Sequence, residues 1–391
     1  MKEKLCLKSL RLENFKAVQD SKSINFTPLT VLIGNNGSGK SSLVEGLETY
    51  RSIVVDGLDK AMQRWYGMSH VWNKSRDQAW EDTKASLKNT IRFGLGGKTA
   101  TGSFKVGMEI AAGAEMKRIL IREEKGTTPE GYRFSRNGMG RCEVTFGNGD
   151  PKREKTFYSG ESALEGDLYD FVESWQFLSL APDPMSRPTA RNMAVKKHEL
   201  LARDGSNIAH YLLQIRNADP NAFAGIAEAM EYVLGYARDF EPVETSEIQP
   251  TVYLQMLEES RGKKFKVPGW MMSTGTLRIL ALLAVLRDPY PAPLIIIEEV
   301  ENGLDPRTIH LIVDEIQNVV QSGRSQVILT THSPYLLDLL PLSSLLLCER
   351  GKNGEPRFTR PADENELAQW SEKFGPGQLY TMSRLSRGVG K

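Results

Sequence analysis

The chain has little of what staples, anchors or segregates a protein. Its three cysteines, Cys6, Cys142 and Cys348, are far apart and odd in number, which excludes a disulfide framework and any CxxC metal or redox motif. Neither sign of charge is in surplus: 50 Lys and Arg face 49 Asp and Glu, so no polybasic character forces a nucleic-acid or membrane partner. The longest apolar run, ILALLAVL, is far too short to cross a bilayer. The opening MKEKLCLKSLRLENF alternates charged and apolar residues, unlike the apolar centre of a signal peptide. Internal repeats, low-complexity tracts and heptads long enough for a coiled-coil arm are missing too. These absences lead us to expect a soluble protein of a reducing compartment, the cytoplasm, with no membrane partner.

What is present is enough apolar material for a large core. With 391 residues, 40% of them hydrophobic, the chain can bury one composite core or two domains. The first 33 residues read as strands, followed by a glycine-rich turn and the helix KSSLVEGLETYRSIV. Short alternating runs between about 90 and 160 (NTIRFGL, SFKVGMEI, MKRILIRE, YRFSR, CEVTF) predict an antiparallel meander. Residues 161–240 turn helical, in LYDFVESWQFL, NIAHYLLQIRN and NAFAGIAEAMEYVLGYA. A strand, TVYLQMLEES, precedes an alternation of helices and strands from LRILALLAVL to SLLLCER, the pattern of a parallel sheet. The stretch after Lys352, rich in Gly, Pro and charge, reads as a partly ordered tail.

The chemistry begins at TVLIGNNGSGKSSLVEGL. Gly34-x4-Gly39-Lys40-Ser41 stands directly after a β-branched run and directly before a helix, the context a P-loop requires. Glycines there let successive N–H groups point at phosphate oxygens, and the helix N-terminus adds its dipole. The cradle residues are Asn35, Asn36, Gly37, Ser38, Gly39, Lys40, Ser41 and Ser42. Lys40 belongs on the β- and γ-phosphates of ATP, and Ser41 on Mg²⁺. The plain alternative, a glycine turn that happens to precede a lysine, leaves the flanking strand and helix unexplained.

In LIIIEEVENGLDP, Glu298 and Glu299 end a hydrophobic strand, where ligands bind in open α/β sheets. Adjacent carboxylates there suit two tasks: Glu298 is assigned to the metal and Glu299 to polarising the attacking water. The alternative is a strand running into a solvated acidic turn. SQVILTTHSP ends another strand at Thr330, Thr331 and His332, which brings the histidine to the same edge. Finally, Ser273, Thr274 and Gly275 open the apolar helix LRILALLAVL. Helix capping by Ser273 is the local explanation.

Taken together, these motifs resemble the ABC-type ATPases of the SMC, RecF and OLD-nuclease group. GNNGSGKSS resembles Walker A, STGTLR the ABC signature, IIIEE Walker B, ENGLDP the D-loop and TTHSP the switch-histidine segment. Closer still are RecF-like bacterial ATPases reading DG(S/A)N, S.GTLR and IEEPENGL, with Asp204-Gly205-Ser206-Asn207 and Glu298 to Leu304 in those places. Departures are Glu298 for the usual aspartate, Val300 for proline and Asp305 for histidine.

The resemblance implies an α/β fold: an ABC-ATPase head with a mixed β lobe, a parallel-sheet P-loop core and a helical insertion. It places an ATP-binding lobe at 1–160, the insertion at 161–245, a signature, Walker B and switch-histidine lobe at 246–350, and a tail at 351–391. It implies ATP and Mg²⁺ as cofactors, Lys16 in NFKAV as a basic nucleotide contact, His332 as the switch histidine, and Gln176 in ESWQFL as the Q-loop glutamine. For Gln176, packing between its aromatic neighbours is the alternative. In the family two heads dimerise head to tail, each offering its signature to the other's γ-phosphate, which here means Ser273, Thr274 and Gly275.

The expected function is therefore an ATPase switch, a homodimer or higher homo-oligomer, gating a separate effector such as a nuclease or toxin in anti-phage defence or DNA repair. Coiled-coil arms, a CxxC hook and an acidic nuclease module after SLLLCER are not seen. Two other readings stay open. One is a RecF-like DNA clamp using Arg187, Arg191, Lys196, Lys197, Arg203 and the terminal SRLSRGVGK, a set that a solvated face explains equally. The other is a scaffold that binds ATP without turnover.

Overall fold

The computed structural model describes residues 5–75, 90–99, 101–112, 119–129, 131–137, 141–146, 153–158, 160–190, 198–245, 250–363 and 373–385. Two compact units divide the chain: Met1–Trp175 with Leu345–Glu364, and Gln176–Ser344 with Asn365–Lys391.

In the first unit the expected meander forms. Thr90–Lys98, Ser103–Ala112, Ile119–Thr127, Tyr132–Asn137, Arg141–Phe146 and Arg153–Thr156 pair antiparallel in chain order, and Cys6–Phe15 joins Thr90–Lys98. Alternation sets the inward face: Ile91, Phe93 and Leu95 are buried while Arg92 lies between them. The helix Lys40–Asp56 presents Leu43, Val44, Leu47, Tyr50 and Ile53 at helical spacing, all buried. At Gly46 a Cβ would lie 2.6 Å from Leu12 Cδ2, so any larger residue here would force the Leu12 side chain to shift. Ring centroids chain Phe15, Phe93, Tyr50 and Trp175 at 6.2, 5.8 and 6.4 Å. Truncating any one of these buried rings to alanine costs about 3–5 kcal/mol by analogy with other cores.

The phosphate-loop strand, Leu29–Ile33, is buried throughout and pairs parallel with Leu345–Arg350 through Val31 with Leu345, Leu32 with Leu346 and Ile33 with Leu347. The chain then turns back as Pro356–Thr359, antiparallel to Leu345–Arg350. That return differs from the tail expected after Lys352: hydrogen bonding to an already buried strand orders a segment too short and polar to show a period.

The second unit holds three parallel strands, Gln176–Leu178, Leu294–Ile297 and Gln326–Thr331, with Leu294–Ile297 in the middle. Thr274–Leu286 is buried at all but three of its positions, as expected of a helix apolar all round, and Pro306–Gln321 is amphipathic. The expected helical region contains Ile208–Ala218 and Pro220–Leu234, but also strands. Asp167–Glu173 stops short of the anticipated helix, because Phe177 and Leu178 pair with Ile296 and Ile297 instead. Thr251–Ser260 pairs with Ala237–Glu244, Lys263–Pro268 and Thr189–Ala190 in a separate antiparallel sheet. Among the described residues no helix is long and apolar enough to cross a membrane.

Candidate functional site

Two pieces of machinery are laid out, one in each unit. In the first, Leu29–Ile33 delivers the chain into Gly34, where a Cβ would run into the Cys348 carbonyl oxygen. Gly39 has φ +106, and its absent Cβ would stand 2.8 Å from Pro356. Glycine is therefore required on both sides of the loop by packing as well as by backbone conformation. Asn35, Asn36 and Gly37 form its exposed crown; Ser38, Gly39 and Lys40 are buried, Ser41 is exposed and Ser42 buried.

Lys40 folds inward. Its Nζ donates to the carbonyls of Gly34 at 2.6 Å and Asn35 at 3.1 Å, so the loop holds a cation at its own centre. No side chain caps the helix that follows, whose N-terminal cap residue is Gly39. A concave loop with a central ammonium and an N-terminus left uncapped by side chains fits a phosphate chain. Arg350 Nε donates to the Gly37 carbonyl at 2.8 Å, a brace that sequence reasoning missed, because nothing in SLLLCER signals contact with a loop over 300 residues earlier. Beneath the loop, burial pushes the Cys348 thiol up to about 12 despite the nearby Lys40 charge.

Lys16, expected as a nucleotide contact, sits against the phosphate-loop helix. Its Nζ is 2.7 Å from Glu45 Oε2 and 3.6 Å from the centre of the Trp65 ring. Trp65 is fixed in turn by Nε1 donating to Thr49 Oγ1 at 3.0 Å.

In the second unit, Ile297 ends the buried central strand and the backbone N–H of Glu298 donates to the Leu178 carbonyl at 2.8 Å. The Glu298 carboxylate meets Arg203 Nη2 at 2.5 Å. A carboxylate at this strand end already compensated by a cation fits a metal ligand in charge, the guanidinium standing where positive charge is wanted.

Glu299 follows in the left-handed region at φ +49. Such a conformation costs of order 1–3 kcal/mol for a non-glycine residue and collects at functional sites. Its N–H donates to Thr330 Oγ1 at 2.9 Å, and its exposed carboxylate accepts from the Asn302 side-chain amide. Glu301, not singled out from sequence, accepts from the His332 backbone N–H at 2.6 Å. The acidic turn and the histidine turn are thus tied together through Thr330, whose hydroxyl and carbonyl accept from the Glu299 and Val300 N–H groups, and through Glu301.

The STGTLR segment packs against the same turn. Ser273 Oγ accepts from the Thr276 N–H at 3.0 Å, so it does cap the helix; Ser273 and Thr274 are exposed. A Cβ at Gly275 would lie 2.8 Å from the Gly303 carbonyl. Arg278 bridges the parts, donating to the Asn302 carbonyl at 3.2 Å and the Leu180 carbonyl at 2.8 Å. Its burial lowers the guanidinium pKa, which the Glu299 charge partly restores. Asp305 caps Pro306–Gln321, accepting from Thr308 Oγ1 at 2.6 Å and from the Arg307 and Thr308 backbone N–H groups at 2.9 and 3.2 Å.

Two sequence expectations meet a different geometry. Gln176 is buried at the start of its strand, paired with Ile295, while the edge that carries the acids lies beyond Leu178. Its amide donates to the Leu201 carbonyl at 2.7 Å, an interior packing role. Arg203 is engaged with Glu298 rather than offered outward for DNA. Arg187 is exposed; Arg191, Lys196 and Lys197, and the terminal segment beyond Leu385, lie outside the described residues.

A phosphate loop on a strand–loop–helix in one unit, and an acidic strand end laced to a histidine turn in the other, fit an AAA-type ATPase domain. Residues 29–338 match the family described as "AAA domain, putative AbiEii toxin, Type IV TA system", and the chain belongs to that family. Residues 6–51 also match an AAA ATPase domain. No curated protein matches the sequence.

Among solved structures, an SMC head domain with an extended coiled coil derived from Pyrococcus furiosus, bound to the C-terminal domain of ScpA, aligns over 95% of this chain and 100% of its own, with TM-score 0.50 and 12% identity. The SMC head bound to the C-winged helix domain of ScpA gives 0.49 at 13% identity, over 90% and 97%. The SMC head domain from Thermotoga maritima gives 0.44 at 13%, over 90% and 98%. At such identities the likeness is one of fold, and the first of these carries it.

Proposed function

We propose that the protein is an ATP-hydrolysing switch whose nucleotide state gates a separate effector. The observation that carries this reading is the phosphate loop itself: Lys40 gathered onto the Gly34 and Asn35 carbonyls, ready to exchange two neutral acceptors for phosphate oxygens. Within the first unit Lys40 would bind the β- and γ-phosphates and Ser41 would offer its hydroxyl to Mg²⁺; within the second, Glu298 would serve as a metal acid. The metal, when bound, neutralises charge on the phosphates. Glu299, held in its strained turn by Thr330 and Asn302, orients and polarises the attacking water, and His332 reports on the γ-phosphate. Gln176 takes no part in this scheme, being engaged in the interior.

ATP closes two copies head to tail, with Ser273, Thr274 and Gly275 of one against the γ-phosphate held by the other, and hydrolysis reopens them. The family description, with its putative toxin and type IV TA system, supports a setting of the toxin–antitoxin kind. A DNA clamp is less well supported, since one of its proposed cations, Arg203, is already paired.

The test is the mass in solution of the purified protein alone, with ADP, and with ATP on the Glu299→Gln background. A dimer or larger assembly formed only with trapped ATP is expected. The same mass in all three states rules out the switch and leaves a nucleotide-binding scaffold.

A further inference from the structure

The turn Asp204-Gly205-Ser206-Asn207 takes no part in the scheme above, yet it is built with care. The Arg203 carbonyl accepts from the Ser179 N–H at 2.7 Å and the Asp204 carbonyl from Ala181 at 3.0 Å, fastening the turn alongside the residues that follow Leu178. Asp204 Oδ1 accepts from the Ser206 N–H at 3.0 Å. Asn207 accepts from the Ala202 N–H at 2.7 Å and donates to the Leu200 carbonyl at 3.1 Å. Gly205 adopts φ +78, and a Cβ there would lie 2.7 Å from Met185 Cγ.

These contacts are made by backbone or by other side chains, and they fix the point from which the Arg203 side chain starts. What it is aimed at is the Glu298 carboxylate, at 2.5 Å, with side-chain exposures of 35% for Arg203 and 14% for Glu298.

A carboxylate so nearly buried at a strand end requires a counter-charge, and a guanidinium supplies one along with a directed hydrogen bond. A divalent cation cannot share the same carboxylate with a guanidinium at this range without like-charge repulsion. We propose that Arg203 is a positioning residue: it holds Glu298 in place until a divalent cation replaces it, so that metal loading of this edge must displace an internal cation. The inference rests on the reading of Glu298 as the metal acid. It makes the DGSN turn a device that sets the metal concentration at which the acidic edge fills, keeping Glu298 neutralised while no metal is there.

The experiment titrates Mn²⁺ into the full-length chain at a fixed ADP concentration and counts free Mn²⁺ by electron paramagnetic resonance. Arg203→Gln is expected to bind Mn²⁺ about three- to tenfold more tightly than the parent, the size of a competing part-buried ion pair removed. Arg203→Lys, which keeps the charge, should stay within about twofold of the parent on the same reasoning. The tightening should vanish when Glu298→Gln is added. Unchanged or weaker binding in Arg203→Gln, with Glu298→Gln alone clearly weaker than the parent, overturns the role of Arg203 and spares that of Glu298. If Glu298→Gln leaves Mn²⁺ binding untouched, the assignment of the metal acid falls, and this proposal with it. Should Arg203→Gln fail to fold, Arg203→Met decides: it keeps an unbranched stem, removes the charge and must also tighten Mn²⁺ binding.

Discussion

Two helix N-termini in this protein carry similar residues and solve opposite problems. The phosphate-loop helix begins after Gly39 in a left-handed conformation with no side chain capping it. The signature helix begins after Ser273, whose hydroxyl accepts from the Thr276 N–H at 3.0 Å. One end is shaped for something the chain does not supply; the other satisfies part of its own need. A helix end without side-chain caps is costly unless water or a ligand completes it, which is why the first reads as a ligand site on local geometry alone. The second earns a ligand role only from assembly with another copy.

The sharpest way to break that comparison is at Lys40. Lys40→Ala removes the ammonium at the loop's centre and should weaken binding of a fluorescent ATP analogue by about ten- to a hundredfold, the scale of a charge-assisted hydrogen-bond pair. Near-parent affinity would mean the loop is not the phosphate site.

The signature helix can be split between its two roles by substituting Ser273 twice. Ser273→Ala should lose about 1 kcal/mol of cap energy, read as a lower unfolding temperature. Ser273→Asp caps as well as serine and should keep that stability, yet its negative charge opposes a phosphate. If ATP-dependent assembly survives in Ser273→Asp, the hydroxyl is a cap and nothing more.

A third helix end provides the control, because it has no ligand role in the proposed scheme. Asp305 caps Pro306–Gln321, and hydrogen bonds, first from the Thr308 side chain and then from backbone N–H groups, hold its carboxyl below its ordinary 3.8. A depressed carboxyl stabilises the fold above its unfolded value and loses that contribution as acid protonates it. Asp305→Ala should therefore cost at most about 1 kcal/mol near neutrality. The gap from the parent should close as pH falls below about 4. A gap that persists unchanged in acid would show that the hydroxyl and N–H contacts do not depend on the charge.

How much of this was readable in advance depends on how locally each feature is encoded. The phosphate loop is contiguous, so Gly34, Gly39 and Lys40 announce themselves by spacing between a strand and a helix. Glu298 and Glu299 were legible because an apolar run stops at them. Arg203 was visible only as one more basic residue, since its partner lies 95 positions away and no periodicity links the two. Gln176 was a site residue only by family resemblance, its aromatic neighbours offering packing as the alternative; register pairs it with Ile295, at the far end of the strand from the acids. Glu301 and Arg350 escaped notice because what they bind is a backbone group, and a backbone group leaves no trace in a sequence.

By itself, then, the sequence determined the order of strands and helices in the parallel regions, the composition of the phosphate loop and the acids that end the central strand, because each depends on neighbours within a few residues. Tertiary structure alone decided which charges meet: Arg203 with Glu298, the Glu301 carboxylate with the His332 backbone, Arg350 with the loop it braces. It also turned the expected tail into the strand Pro356–Thr359, packed so that Pro356 closes on Gly39. The physical reason is one of range. Steric and hydrogen-bonding preferences act along the chain and are written in spacing, whereas compensation of a half-buried charge is satisfied by whatever group the fold brings within reach.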